Sequence, residues 1–222
     1  MTTAAGARTI GYDGRGNTAT ETRPGGVSVA AAYDGYGRLT GYARTGDPVQ
    51  TNVYNGLDDR VAVTSGAATR RFVYDMDGRV LGEYGTSAAD VKAEFIWLSP
   101  EVANDNAPFG GDDGVGGYAP LAVAVADGAG GTRLNWVHGN HLGVPQATTD
   151  ATGAIQPNGG DYQLPGFPGQ SRTFADLYYN RHRDYDPSAG RYIQADPIGL
   201  DGGDNLYLYA QGNPVRYTDP SG

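Results

Sequence analysis

Between residues 12 and 80 one short pattern recurs, and it constrains the fold more than any other feature. Tyr12-Asp13-Gly14-Arg15-Gly16, Tyr33-Asp34-Gly35-Tyr36-Gly37-Arg38-Leu39, Tyr54-Asn55-Gly56-Leu57-Asp58-Asp59-Arg60-Val61 and Tyr74-Asp75-Met76-Asp77-Gly78-Arg79-Val80 are variations on Tyr-Asp-x-x-Gly-Arg-Leu/Val, with drift in the first and third copies. Their tyrosines lie 21, 21 and 20 residues apart. A period of about 20 residues corresponds to one β-hairpin, two strands and two turns. Within a unit, the Asp accepts backbone N–H groups in an Asx turn. The Gly supplies a positive φ, and an alternating strand such as Arg71-Phe72-Val73-Tyr74 leads into the turn. Hairpins of this kind pair edge to edge into one long sheet, each Arg placed to bridge to the Asp of its own or the next unit. The repetition marks these Asp and Arg residues as architecture rather than catalysis.

The composition agrees with many short strands joined by tight turns. The 222 residues include 36 Gly, 13 Pro and 16 Tyr, and no long stretch has helical periodicity. The length suits one large domain or two small ones. A formal charge of −9 argues against nucleic acid as a partner, because phosphate binding needs clustered Lys and Arg. Lys92 is the only lysine, so the cations are guanidinium groups suited to planar pairing with carboxylates. Without cysteine, disulfides, thiolate catalysis and Cys-based zinc sites are excluded. The first residues lack the apolar core of an ordinary signal peptide. No run of about 18 apolar residues forms a membrane span.

Residues 82–98 continue the hairpin pattern, with Lys92 to Leu98 as a strong strand. Residues 104–117 are rich in Asn, Asp and Gly. Asp105, Asp112 and Asp113 are calcium-type donors, but their spacing fits neither an EF-hand loop nor a glycine-rich nonapeptide, so the segment reads as a solvated loop. Tyr118 to Ala126 and Thr132 to His138 make a hairpin. His138 and His141 invite a metal or acid–base reading. No third ligand lies nearby in sequence, and both read as turn caps packed in a β-rich core. Asp150 to Gly153 is another turn, and Leu164 to Gln170 a tight irregular crossing.

The last fifth of the chain holds two Asp-Pro-x-Gly units, Asp196 to Gly199 and Asp219 to Gly222. Two carboxylates held close together suit peptide cleavage. One stays protonated and donates to the scissile carbonyl, while the other, ionised, activates water. Asp196 and Asp219 are the candidate pair, joined by a hairpin-like segment, with Arg191 to orient one of them. Each unit also reads as a simple turn with Pro at i+1 and Gly at i+3, and spacing alone favours the turn. His182, Asp184 and Asp186 form a second polar group. Arg181, Arg183 and Arg191 are expected to make buried pairs with these aspartates.

The Tyr-Asp unit resembles the YD repeat of the RHS/YD-repeat family, which includes bacterial Rhs toxins, the C subunits of insecticidal Tc toxins and the animal teneurins. The similarity covers roughly residues 8–98. His138 to Pro145 is similar to the motif that opens the family's core region, with Asn140 in place of Asp and Val144 in place of Ser. Leu164 to Gln170 matches its Phe-Pro-Gly-Gln marker in part. Tyr178 to Ile193, Asp196 to Leu200, Gly202 to Tyr209 and Asn213-Pro214 resemble the RHS-repeat-associated core domain.

The resemblance implies an all-β fold of YD hairpins curling into part of a hollow shell. It divides the chain into hairpins (1–98), an irregular loop and connecting hairpin (99–135) and the core (136–222). It implies an intramolecular aspartic protease with Asp196 and Asp219 as its dyad. The cleavage motif would run from Pro214 through Asp219 and Pro220 to Gly222, its leucine and cut bond falling beyond Gly222. No cofactor or metal is implied. The expected role is a C-terminal shell segment of an Rhs-type toxin, a fragment or degenerate orphan of a larger bacterial protein that is secreted or displayed at the cell surface. Its partners would be the rest of that polypeptide, its toxin cargo and secretion-system proteins. The alternative is a non-catalytic module whose exposed tyrosines contact carbohydrate or a partner protein.

Overall fold

The computed structural model describes residues 7–87, 89–97, 119–127, 129–156, 164–174 and 176–222; Asp105, Asp112, Asp113 and Tyr118 lie outside them. Thirteen antiparallel strands follow one another in chain order in a single open sheet. They are β1 (Thr9–Tyr12), β2 (Thr18–Arg23), β3 (Val27–Tyr33), β4 (Leu39–Arg44), β5 (Gln50–Tyr54), β6 (Arg60–Ser65) and β7 (Ala68–Tyr74). β8 (Val80–Tyr84), β9 (Val91–Trp97), β10 (Pro120–Ala126), β11 (Thr132–Gly139), β12 (Pro145–Thr149) and β13 (Ile155–Gln156) continue it.

The repeated Asp does what its place in the pattern requires. In the turns at Asp13, Asp34, Asn55 and Asp75, the side-chain Oδ1 accepts the backbone N–H of the second and fourth residues after it. The N–H of the Asp or Asn donates back to the carbonyl of that fourth residue. Asp127, Asn140 and Asp150 close their turns in the same way. The third residue after the cap has positive φ. It is Gly in every copy but one, where Asp58 takes its place at φ 67°. Where Arg follows the turn, it returns to the cap: Arg38 pairs with Asp34 and Arg79 with Asp75, at 2.7 and 2.6 Å. Arg38 also reaches Asp58 of the next unit at 2.6 Å.

The repeated Tyr ties each hairpin to the one before it. Tyr33 donates its hydroxyl to the Thr18 carbonyl, Tyr54 to Leu39 and Tyr74 to Arg60, at 2.8, 2.9 and 2.9 Å. Each acceptor is the first residue of the preceding hairpin's return strand. Trp97 ends β9 in the same position, and its indole N–H donates to the Val80 carbonyl at 2.8 Å. The ladder therefore extends one hairpin beyond the last recognisable Tyr-Asp unit.

Residues 164–174 and 176–222 lie against one face of this sheet. They include a second antiparallel sheet of β14 (Ser171–Arg172), β15 (Tyr178–Asn180), β16 (Arg183–Asp186) and β17 (Arg191–Tyr192). Leu177 and Ile193 join Val29, Leu39 and Tyr42 in one core cluster. Val80, Ala93, Phe95, Val123 and Val125 form another, with Leu164 packed against it.

Charge is buried between the two sheets. Arg60 is fully buried and donates to both oxygens of Asp184, each at 2.7 Å. Gln194 donates to Asp184 Oδ2 at 2.9 Å. The Tyr179 ring lies 4.0 Å from the Arg60 guanidinium, and its hydroxyl accepts the Arg60 backbone N–H at 3.0 Å. Asp186 accepts from Arg8 and Arg23, which also pair with Glu21. Asp184 is thus held by Arg60 and Asp186 by Arg8 and Arg23, not by Arg181, Arg183 or Arg191. Strand alternation is the reason: in β16, residues 184 and 186 face the large sheet while 183 and 185 face away from it.

Two outcomes follow for stability. Arg60→Ala leaves a buried carboxylate unpaired and is expected to lower unfolding stability by about 3–5 kcal/mol, read by urea denaturation. Hydrogen bonds from Ala129 and Gly131 hold the Asp127 carboxyl below its ordinary value of 3.8. The Thr152 hydroxyl and backbone N–H groups do the same for Asp150. At Asp13 and Asp34 burial pushes the other way, but it is outweighed, at Asp13 by the turn's hydrogen bonds and at Asp34 by the Arg38 side chain and then those of the turn. A depressed folded value means stabilisation that is present above the unfolded value and lost as pH falls through the folded one. The melting temperature is therefore expected to fall most steeply below about pH 3.8; a melt unchanged down to pH 2 would contradict the turn assignment.

Candidate functional site

The face of β16 that turns away from the large sheet carries Arg183, and the chain's last residues fold over it. Asp196 follows β17 and opens a turn in which its carbonyl accepts Gly199 N–H at 3.0 Å and its Oδ1 accepts Ile198 N–H at 3.0 Å. Two short 3-10 turns, Gly199–Gly202 and Ala210–Gly212, then bring the chain back to Asp219. This return contains no strand, so it is not the hairpin expected from the sequence. Asp219 closes a second turn, its Oδ1 accepting Gly222 N–H at 3.0 Å.

Both Asp-Pro-x-Gly units are therefore turns, and their second oxygens converge. Arg183 Nη1 lies 3.0 Å from Asp196 Oδ2, and Arg183 Nη2 lies 3.3 Å from Asp219 Oδ2. Arg183 Nε donates to the Gly222 carbonyl at 2.6 Å. Tyr192 Oη donates to Asp219 Oδ2 at 2.8 Å and accepts from Asn180 Nδ2 at 2.7 Å. Asn180 Nδ2 also donates to the Asp219 carbonyl at 2.6 Å. Gly169, at φ 82°, passes so close to the Pro220 carbonyl that a Cβ there would collide with it.

These groups border an open cavity of about 420 Å³ lined by His182, Arg183, Asp196, Asp219 and residues 220–222. Ala210 and Gln211 also line it, both with positive φ (46° and 54°). Consecutive non-glycine residues in that region carry strain of order 1–3 kcal/mol each, of the kind found at functional sites. Burial, with Arg181 adding to it, holds the His182 imidazole below its ordinary value. Beneath the site, Tyr185, Tyr192 and Tyr209 pack with ring centroids 5.0–5.9 Å apart, and Phe167 lies 5.5 Å from Tyr209.

Arg191 lies elsewhere. Its guanidinium stacks 4.0 Å from the Tyr207 ring and donates to Tyr12 Oη at 3.1 Å. Alternation again explains the placement, because Tyr192 takes the face of β17 that meets Asp219. Pro214 lies in the return from Asp196 to Asp219, and Pro220 and Gly222 lie within the closing turn. His138 hydrogen-bonds Thr149 Oγ1 at 2.8 Å, and His141 lies 3.3 Å from the Val215 carbonyl. Both are exposed rather than packed in a core. Among the described residues, no three His, Asp or Glu side chains gather as a metal site requires. Tyr192 and Asn180 carry no motif of their own in the sequence, and Arg183, expected to pair with Asp184 or Asp186, meets Asp196 and Asp219 instead. Their signal was the two-residue period of β15–β17, which separates them from Tyr179, Asp184 and Arg191.

No protein-family model matches the chain. By sequence it is 30% identical over 240 residues to the Double-stranded DNA deaminase toxin A of Burkholderia cenocepacia, a match covering 86% of this chain and 16% of that protein. It is 38% identical over 117 residues to the Toxin protein Tse5 of Pseudomonas aeruginosa, covering 46% of this chain and 9% of that one. The chain thus spans a small part of the curated relatives it matches. By structure it resembles the crystal structure of TcdB2-TccC3 with a TM-score of 0.64 at 21% identity, over 95% of this chain and 11% of that one. It also resembles a Photorhabdus luminescens Tc holotoxin pore with a TM-score of 0.57 at 16% identity, over 96% of this chain and 13% of that one. With the family's repeats, its all-β fold and toxin relatives in sequence, the chain belongs to the RHS/YD-repeat family of Rhs and Tc toxins.

Proposed function

We propose that this toxin-family segment is the closing part of an Rhs-type shell and that Asp196 and Asp219 are its self-cleaving pair. One observation carries the reading: the two Oδ2 atoms converge on Arg183 beside the chain's own backbone, with the Gly222 carbonyl held by the same guanidinium. An open sheet with one face covered suits a section of wall, which encloses nothing alone. Its partners are then the rest of a larger bacterial polypeptide, an effector following the cut, and the machinery that exports the whole. No helix among the described residues is long and apolar enough to cross a membrane.

Cleavage would occur at a peptide bond just beyond Gly222. Water adds to the carbonyl carbon as the ionised carboxylate takes its proton, and the protonated partner donates to the carbonyl oxygen. The C–N bond then breaks, the amine leaves with a proton, and a new carboxylate remains. Arg183 fixes both aspartates and the adjacent backbone, so attack happens within one molecule and needs no docking of a separate substrate.

The test is the chain with a reporter domain fused after Gly222 through a leucine. A cut within a few residues of Gly222 is expected, resolved by gel and mass spectrometry. Asp196→Asn and Asp219→Asn should abolish it. Arg183→Gln should reduce it at least about a hundredfold, since it removes charge-assisted bonds to both aspartates and to the backbone. Arg191→Gln, whose guanidinium bonds Tyr12 and stacks on Tyr207 instead, should leave the rate within about twofold. An intact fusion under all conditions contradicts the protease and favours a non-catalytic module that contacts carbohydrate or a partner protein.

A further inference from the structure

We infer that Tyr192 is a positioning residue that makes the two aspartates unequal, with Asn180 as its support. The inference rests on the self-cleaving reading above. Asp196 and Asp219 are otherwise provided for alike: each has a turn N–H on Oδ1 and one Arg183 nitrogen at Oδ2. Asp219 alone receives a further donor, the Tyr192 hydroxyl at 2.8 Å. That hydroxyl has one proton to give, and Asn180 Nδ2 occupies it as an acceptor at 2.7 Å, so its proton is directed at the carboxylate.

The surroundings hold this geometry. Tyr192 and Asn180 are fully buried. The Arg183 guanidinium lies 3.9 Å from the Tyr192 ring centroid, and Tyr185 and Tyr209 pack against the ring at 5.9 and 5.8 Å. Burial, and then the charge of Asp219, push the phenol well above its ordinary value, so it remains a donor across the working pH range.

A two-carboxylate cleavage needs one group as base and the other as acid. A hydrogen bond to the ionised form favours that form. The extra hydroxyl therefore assigns water activation to Asp219 and proton donation to Asp196. The charged and titratable groups facing Tyr192 and Asp219 are Arg183, Asp196 across that guanidinium, Tyr209 and Tyr185, with His182 on the same cavity.

Tyr192→Phe in the reporter fusion tests this, because it removes one oxygen and keeps the ring. Self-cleavage should slow at least about tenfold, the order expected for one hydrogen bond to a charged group. The acid side of its pH–rate profile should move to higher pH, a change that loosened packing alone would not produce. A parent that cleaves and a Tyr192→Phe variant with the parent's rate and profile would overturn the inference and leave the protease standing. A parent that does not cleave overturns both. If the phenylalanine variant loses its cooperative melt, Asn180→Leu serves instead: the same direction of pH shift with a smaller slowing supports the inference, and parental behaviour overturns it.

Discussion

The pairing of Arg60 with Asp184 is the interaction on which the rest of the structure depends. It joins residues 124 apart in sequence and is sealed from solvent. Buried ion pairs contribute little net stability against an apolar substitute, yet removing one partner is costly. The docking of the C-terminal segment on the large sheet satisfies both charges, Arg60 reaching both Asp184 oxygens. Tyr54 and Tyr179 reinforce that docking, because both meet the same guanidinium and Tyr179 also bonds the Arg60 backbone.

The candidate site follows from this docking. With Asp184 facing the large sheet, strand alternation turns Arg183 to the opposite side, where the last residues of the chain cross. The two Asp-Pro-x-Gly turns then place one carboxylate oxygen each at its guanidinium nitrogens. The tail is fitted closely: Gly169 makes room for the Pro220 carbonyl, and a side chain at Gly222 would collide with the Asn180 carbonyl. Structural turns and a meeting of carboxylates are therefore the same feature, since Oδ1 serves the turn and Oδ2 serves the site.

Much of the large sheet was legible in the sequence, because its order is local. A cap, a glycine and a strand period of two specify each hairpin without reference to anything distant. Two members were disguised by a change of residue: Trp97 stands in the ladder where Tyr would be, and Asn140 closes a turn that looked like part of a histidine motif. The site was legible only in its carboxylates. Arg191 is near Asp196 in sequence, but alternation along β16 and β17 turns Arg183 toward the pair and Arg191 toward Tyr12 and Tyr207. Arg60 carried no local signal, since its partner lies in a segment far along the chain. In the third repeat Asp59 takes the place of the turn arginine, which moves Arg60 one residue on and frees it for that partner.

Arg60 and Asp184 are expected to make the large sheet and the C-terminal segment one cooperative unit. Native-state hydrogen exchange tests it most directly, by comparing the amides of β6 with those of β15–β17. The two sets are expected to open with the same free energy and respond together to denaturant. Exchange of β15–β17 through a separate, lower-energy opening while β6 stays protected would contradict it.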